Sequence, residues 1–222
     1  MMNNIPSDKY NIAWFKIADC VARGEKERAL GMYRLLAHSF DDIAFSNQLE
    51  GDIFHSFGDN ESARNRYDQA IDLYKNENRL LEAAAVCEHM HCMYPTDQTY
   101  LLLLTGLYNQ LGATVQVGVY VDKLVTVCVA HGDIKQAERL LEQYATALSV
   151  DMMVAIHQRF VYAIMRRTDV QRDMVLHHIY KMIDNLVCVD NTMALQNFID
   201  LLQGLDEFYY QDACEYIKIS GY

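Results

Sequence analysis

Apolar residues return every third or fourth position along most of this chain. Leu140, Leu141, Tyr144 and Leu148 form one such series, and Ile156, Phe160 and Ile164 another. This is the period of a helix with one buried face. The pattern breaks near Gly24, Asp42, Gly58, Asn78, Pro95, Gly112, Gly132, Val150, Thr168, Asp190 and Gly204. Gaps of roughly 14 to 22 residues suit three or four helical turns and a short loop. The pattern therefore predicts an all-α chain of about twelve helices in antiparallel pairs. Val115-Gln116-Val117-Gly118-Val119-Tyr120-Val121 alternates like a strand, but no partner strand is evident, so it is read as helix. The last third predicts helices over Asp151–Arg167, Asp169–Val187, Thr192–Gln203 and Asp206–Ile219. Asp151, Thr168 or Asp169, and Asp190 or Asn191 are the candidate N-caps.

Two segments repeat. In Gly24–Tyr33 and Gly58–Tyr67, a glycine, a glutamate, an alanine and a tyrosine recur at one offset of 34 residues. Within the second segment, counted from Ala44, a small residue falls on Gly51 and an aromatic on Phe54. A turn glycine falls on Gly58, and helix residues on Ala63, Tyr67 and Ala70. With Gly24, Ala29 and Tyr33 of the first segment, these positions resemble a tetratricopeptide repeat. The match departs from that pattern at Asn47, Glu50 and Lys75, and in the first repeat, from Tyr10, at Ile17 and Cys20. Physically, the glycine allows a left-handed residue to end one helix. A small residue five positions later lets the two helices close together, with Gly51 as the other half of that approach. Tyr33 and Tyr67 then fill space between successive repeats. The same turn-plus-five spacing recurs at Asn78/Ala83, Ala113/Gly118 and Gly132/Ala137 without the strict period.

The resemblance implies an α-solenoid: a right-handed superhelix whose inner face, lined by the first helix of each pair, binds a peptide or helix of a partner protein. Matching positions in the first repeat are Asn11, Trp14, Ala18, Val21 and Ala22. In the second they are Phe45, Gln48, Asp52, His55 and Ser56. A third set, counted from Thr99, falls on Tyr100, Leu103, Leu107, Gln110 and Leu111. Trp14 is the only tryptophan. It reads either as a binding anchor or as a seal on the N-terminal end of the core. The organisation expected is a flexible segment 1–9, repeats over 10–150, and a divergent helical cap over 151–222. That cap, rich in aromatics around Phe208, Tyr209 and Tyr216, also suits a surface for a second copy of the chain. Tyr67–Tyr74 and Asn78–Cys87, with their ragged helix lengths, also resemble the soluble NSF-attachment adaptors.

Composition narrows the partners. The formal charge is -11, which disfavours general nucleic-acid binding, although Arg159, Arg166, Arg167 and Arg172 cluster in sequence. Six scattered cysteines among apolar residues suit free thiols in a reducing compartment, so a cytoplasmic setting is expected. No leader is visible in the polar start, and no apolar run approaches the roughly 20 residues that span a bilayer.

Candidate chemistry is sparse. Cys87 and His91, four apart, share a helix face and could begin a zinc site, but His89 and Cys92 point elsewhere. His177 and His178 diverge by about 100 degrees, so one is expected exposed and one half-buried. Nucleophile-elbow, phosphate-loop and dinucleotide motifs are missing. The expectation is a scaffold without catalytic residues, metal or cofactor.

Overall fold

The computed structural model describes residues 9–222, with side-chain surroundings from residue 13 onward. The segment 1–8 and the side chain of Asn11 lie outside the described residues. Among these there are twelve helices and no strand. They form two compact units that divide between Leu111 and Gly112.

The first unit holds α1 (Lys9–Ala22), α2 (Lys26–Ala37), α3 (Ile43–Ser56), α4 (Asn60–Asn76), α5 (Leu80–Met93) and α6 (Gln98–Gln110). Ile17 and Cys20 of α1, Ala29, Leu30 and Tyr33 of α2, and Ile53 of α3 make one buried cluster. Tyr67, Tyr74, Tyr100, Leu101 and Leu104 extend the buried set through α4 and α6. The second unit holds α7 (Thr114–His131), α8 (Ile134–Tyr144), α9 (Val150–Met165), α10 (Arg172–Cys188), α11 (Thr192–Leu205) and α12 (Glu207–Ser220). Leu124, Cys128, Phe160, Ile179, Ile183, Phe198 and Leu202 are its buried centre. The alternating segment 115–121 is helical, within α7. Val117, Val121, Leu124, Val125 and Cys128 share its buried face, so helical burial overrides β-branching here.

One turn recurs five times. Gly24, Gly58, Asn78, Gly132 and Asp190 each take a left-handed φ, between 51° and 84°. The N–H of the next residue donates back to the carbonyl five positions earlier: Glu25 to Cys20, Asp59 to Phe54, Arg79 to Tyr74, Asp133 to Cys128 and Asn191 to Leu186, all at 2.8–3.1 Å. That is a Schellman-type stop. The donor is at once the N-cap of the following helix, and its carbonyl accepts from the residue four further on. This explains the turn-plus-five spacing. The fifth residue is the first to complete a helical bond, and Ala29, Ala63, Ala83 and Ala137 there have no exposure. At the α6–α7 turn the left-handed residue is Gly112, one position before the expected Ala113, which is the N-cap.

Gly51 makes room for an aromatic ring: a Cβ there would lie 2.8 Å from Cε1 of Tyr67. Gly118 likewise admits the Met152 side chain of α9. The C-terminal helix starts shift from expectation. Ser149, whose hydroxyl accepts from Met152 N–H, caps α9 in place of Asp151. Asp169 is engaged by Arg167 and caps nothing, and α10 begins after Gln171. Asn191 caps α11 as read from the sequence.

Within each unit helices meet their sequence neighbours, and several also reach the next helix but one. In the first unit Lys26 reaches the N-cap Asp59 of α4, and Arg64 of α4 reaches the N-cap Asp97 of α6. Arg79 at the start of α5 reaches the N-cap Asp42 of α3. In the second, α9 joins α7 through Arg159–Asp122, and α10 joins α8 through His178–Glu138. Tyr216 of α12 donates to Asp184 of α10, and Tyr162 of α9 lies against Phe198 of α11.

Candidate functional site

Phe45, Gln48, Asp52 and His55 follow one another on α3 at steps of three and four, so they occupy one face. Phe45, Asp52 and His55 are exposed and Gln48 is half-buried. The tyrosines of α4 order this face from beneath. Tyr74 donates to Gln48 Oε1 at 3.0 Å, and Tyr67 donates to Asp52 Oδ1 at 2.7 Å. Burial and the Asp52 carboxylate both drive the Tyr67 pKa upward, and burial pushes Tyr74 up to about 12, so both stay protonated donors. His55 Nδ1 lies 3.3 Å from Asn60 Oδ1.

Trp14 is partly buried. It stacks on Phe40 at 6.1 Å and packs against the buried cluster of α1–α3, while Phe40 in turn meets Phe45 edge-on. The aromatic chain 14–40–45 therefore links α1 to the α3 face.

The third contribution to this face comes from α5. His89 is exposed, 5.8 Å from the His55 ring and 5.1 Å from the Tyr67 ring. The set counted from Thr99 sits elsewhere. Tyr100 and Leu107 of α6 are buried, and Tyr100 donates to Asp68 of α4. Parity decides this. Arg79 at the start of α5 pairs with Asp42 of α3 and His89 lies beside His55, so α5, not α6, is the helix that follows α3 on its side. His89 was visible only as a member of Cys87–Cys92, because the sequence spacing does not state which helix faces which.

Cys87 and His91 are both buried on α5. Cys87 is buried, its thiol donates to the Tyr100 carbonyl at 3.5 Å, and burial pushes its pKa up to about 12. That is a poor nucleophile and a poor metal ligand. Among the described residues no three His, Cys, Asp or Glu side chains gather around a point where a metal could sit. Three of the four arginines clustered in sequence are engaged inside the second unit. Arg159 pairs with Asp122, and Arg172 lies over the Phe208 ring. Arg167 donates to the Val129 and Ala130 carbonyls at the end of α7 and to Asp169.

The second unit carries a cluster that sequence reading missed. His157 of α9 and His178 of α10 are 5% and 4% exposed. His157 Nε2 lies 3.3 Å from His178 Nδ1, and His178 Nε2 lies 2.8 Å from Glu138 Oε1 of α8. Phe160 closes one side, 4.9 Å from the His178 ring and edge-on to it. His177 is exposed, so of the histidine pair one is fully rather than half buried. Burial lowers both pKa values, that of His157 to about 3, with the neighbouring imidazole acting in the same direction. The cluster opens on a groove of about 530 Å³ between α8, α9 and α10, rimmed by Lys135, Arg139, Glu142 and Lys181. Its members are 21 and 40 residues apart, so no local spacing announces it.

No protein-family model matches the chain, and no curated protein matches it either.

Proposed function

We propose that this chain is a tetratricopeptide-like α-solenoid that serves as a non-catalytic scaffold and binds a peptide or helix of a partner protein on the α1–α3–α5 face of its first unit. The observation that carries the reading is the ordered row Phe45–Gln48–Asp52–His55 with His89 beside it. An exposed aromatic, a carboxylate and two imidazoles share this face, with Asp52 and Gln48 held by the buried tyrosines of α4. A surface already ordered lowers the entropic cost of recognition. The solenoid part is supported, within each unit, by the recurring turn and by the ties between next-but-one helices. Six cysteines without a disulfide agree with a reducing, cytoplasmic setting. No described helix is long and apolar enough to cross a membrane.

The test is affinity capture with the full chain and with a Phe45→Ser, His55→Ala, His89→Ala variant, all three at exposed positions. Trp14 is left intact because it packs against the core. The variant is expected to fold with unchanged circular dichroism and to lose partners that the parent chain retains after stringent washing. Identical recovery by both proteins sinks the reading. A second reading, self-assembly through the C-terminal helices, is supported by the exposure of Met193, Leu201, Leu205, Ile219 and Tyr222.

A further inference from the structure

We propose that Glu138, His157 and His178 form an acid-sensitive latch that holds α8 against α9 and α10 near neutral pH and lets the groove between them open as the medium acidifies. Three helices meet at this one chain of side chains; both imidazoles are removed from water, while Glu138 is 28% exposed and the groove beside them is open. With Glu138 ionised and both imidazoles neutral, the hydrogen bonds can run in one direction only. His178 Nε2–H donates to Glu138 Oε1, and His178 Nδ1 accepts from His157 Nε2–H.

One added proton can be absorbed. It sits on His178 Nδ1, giving an imidazolium whose Nε2–H still faces the Glu138 carboxylate, provided that His157 moves its own proton to Nδ1 and turns the Nε2 lone pair toward His178. A second proton cannot be absorbed. Two N–H groups would then face each other across 3.3 Å, with two buried cations and one carboxylate between them. The surroundings do not supply the missing charge. Around the pair α8 brings Lys135, Glu138, Arg139 and Glu142, and α10 brings His177 and Lys181. Glu142 is already drawn to Lys181. On α9, Arg159 lies two residues from His157, hence on the other side of the helix, and pairs there with Asp122 of α7. Asp184 of α10 is taken by Tyr216 and Tyr222.

The sign follows from these environments. In the open state both imidazoles meet water and bind protons with the ordinary histidine pKa of about 6.5. In the closed state burial lowers both values. The closed state is therefore favoured above about pH 6.5 and loses ground as pH falls below it. The opening equilibrium rises up to about tenfold per pH unit for each histidine that stays neutral when closed.

Hydrogen exchange of the intact chain, corrected for the intrinsic pH dependence, reads this directly. Between pH 6.5 and 5.5 the opening equilibrium in α8–α10 peptides is expected to rise severalfold, up to about fivefold for each histidine that stays neutral when closed. His157→Gln keeps an N–H donor toward His178 and does not titrate. It is expected to rise by less, while His177→Gln follows the parent chain. A parent chain whose opening is no steeper than that of His157→Gln overturns the latch. Imidazole NMR of the parent chain gives an answer even where a variant fails to fold. His157 is expected to stay neutral well below the ordinary histidine pKa of about 6.5, and its titration near that value overturns the proposal.

Discussion

Tyr33 and Tyr67 stand one repeat apart, both almost fully buried, yet their hydroxyls do different work. Tyr33 donates to Ser46 on the following helix α3, whereas Tyr67 donates to Asp52 on its own partner helix. The first repeat has Ala18 where the second has Asp52, so Tyr33 has no carboxylate to turn to. The ring position is therefore set by the repeat, and the hydroxyl partner by the residue that happens to lie opposite. Gly51 belongs to the same contact. Alanine there gains about 0.5–1 kcal/mol of helix propensity, but its Cβ would strike the Tyr67 ring, which Asp52 holds in place. Gly51→Ala is expected to cost about 1–3 kcal/mol net by urea unfolding. Gly31 is exposed in α2 with nothing near its Cβ direction, so Gly31→Ala should stabilise by about 0.5–1 kcal/mol. If the two substitutions have the same sign, the close approach at Gly51 is not real.

At the scale of the helix, termination and docking are performed by the same few residues. Asp42, Asp59 and Asp97 each accept a backbone N–H at the start of their own helix. Each also receives a cation from another helix: Arg79, Lys26 and Arg64 respectively. The Lys26 bond, together with the Ser62 N–H, holds the Asp59 carboxyl down at about 2, so that cap persists until the pH falls through about 4 toward that value. The two roles can be separated at Asp97, because asparagine caps a helix as well as aspartate does but carries no charge. Asp97→Asn is expected to cost under about 1 kcal/mol, the range of a partly exposed ion pair, whereas Asp97→Ala should cost about 1–2 kcal/mol. Equal losses measured by denaturant unfolding would mean that capping contributes nothing here. The helix count and the break positions were legible in the sequence from the apolar period, and the buried fifth residue from the turn that recurs at five of the breaks. The caps of α9 and α10 were not. Ser149, Asp151 and Asp169 are equally good caps in isolation, and Asp169 was taken by Arg167.

For the molecule as a whole, Arg159 and Arg167 are engaged inside the second unit, with Asp122 and with the carbonyls that end α7. The exposed apolar residues of α11 and α12 are the surface on which self-association would show. Sedimentation across a wide concentration range is expected to reveal association in the parent chain, weakened in Leu205→Lys and Ile219→Lys. A parent chain that stays monomeric throughout removes the self-assembly reading and leaves the α1–α3–α5 face as the binding surface.

The sequence by itself determined twelve helices, their turns, and the small buried residues that follow those turns. These are local matters: a left-handed residue, the next N-cap, and a 3.6-residue period. Tertiary structure alone decided that α5 rather than α6 joins α3, that Trp14 rests on Phe40, and that His157, His178 and Glu138 meet. Those outcomes depend on helix lengths and packing across tens of residues. A difference of one or two residues carries a side chain from one face to another, and no window of sequence records which face its partner will present.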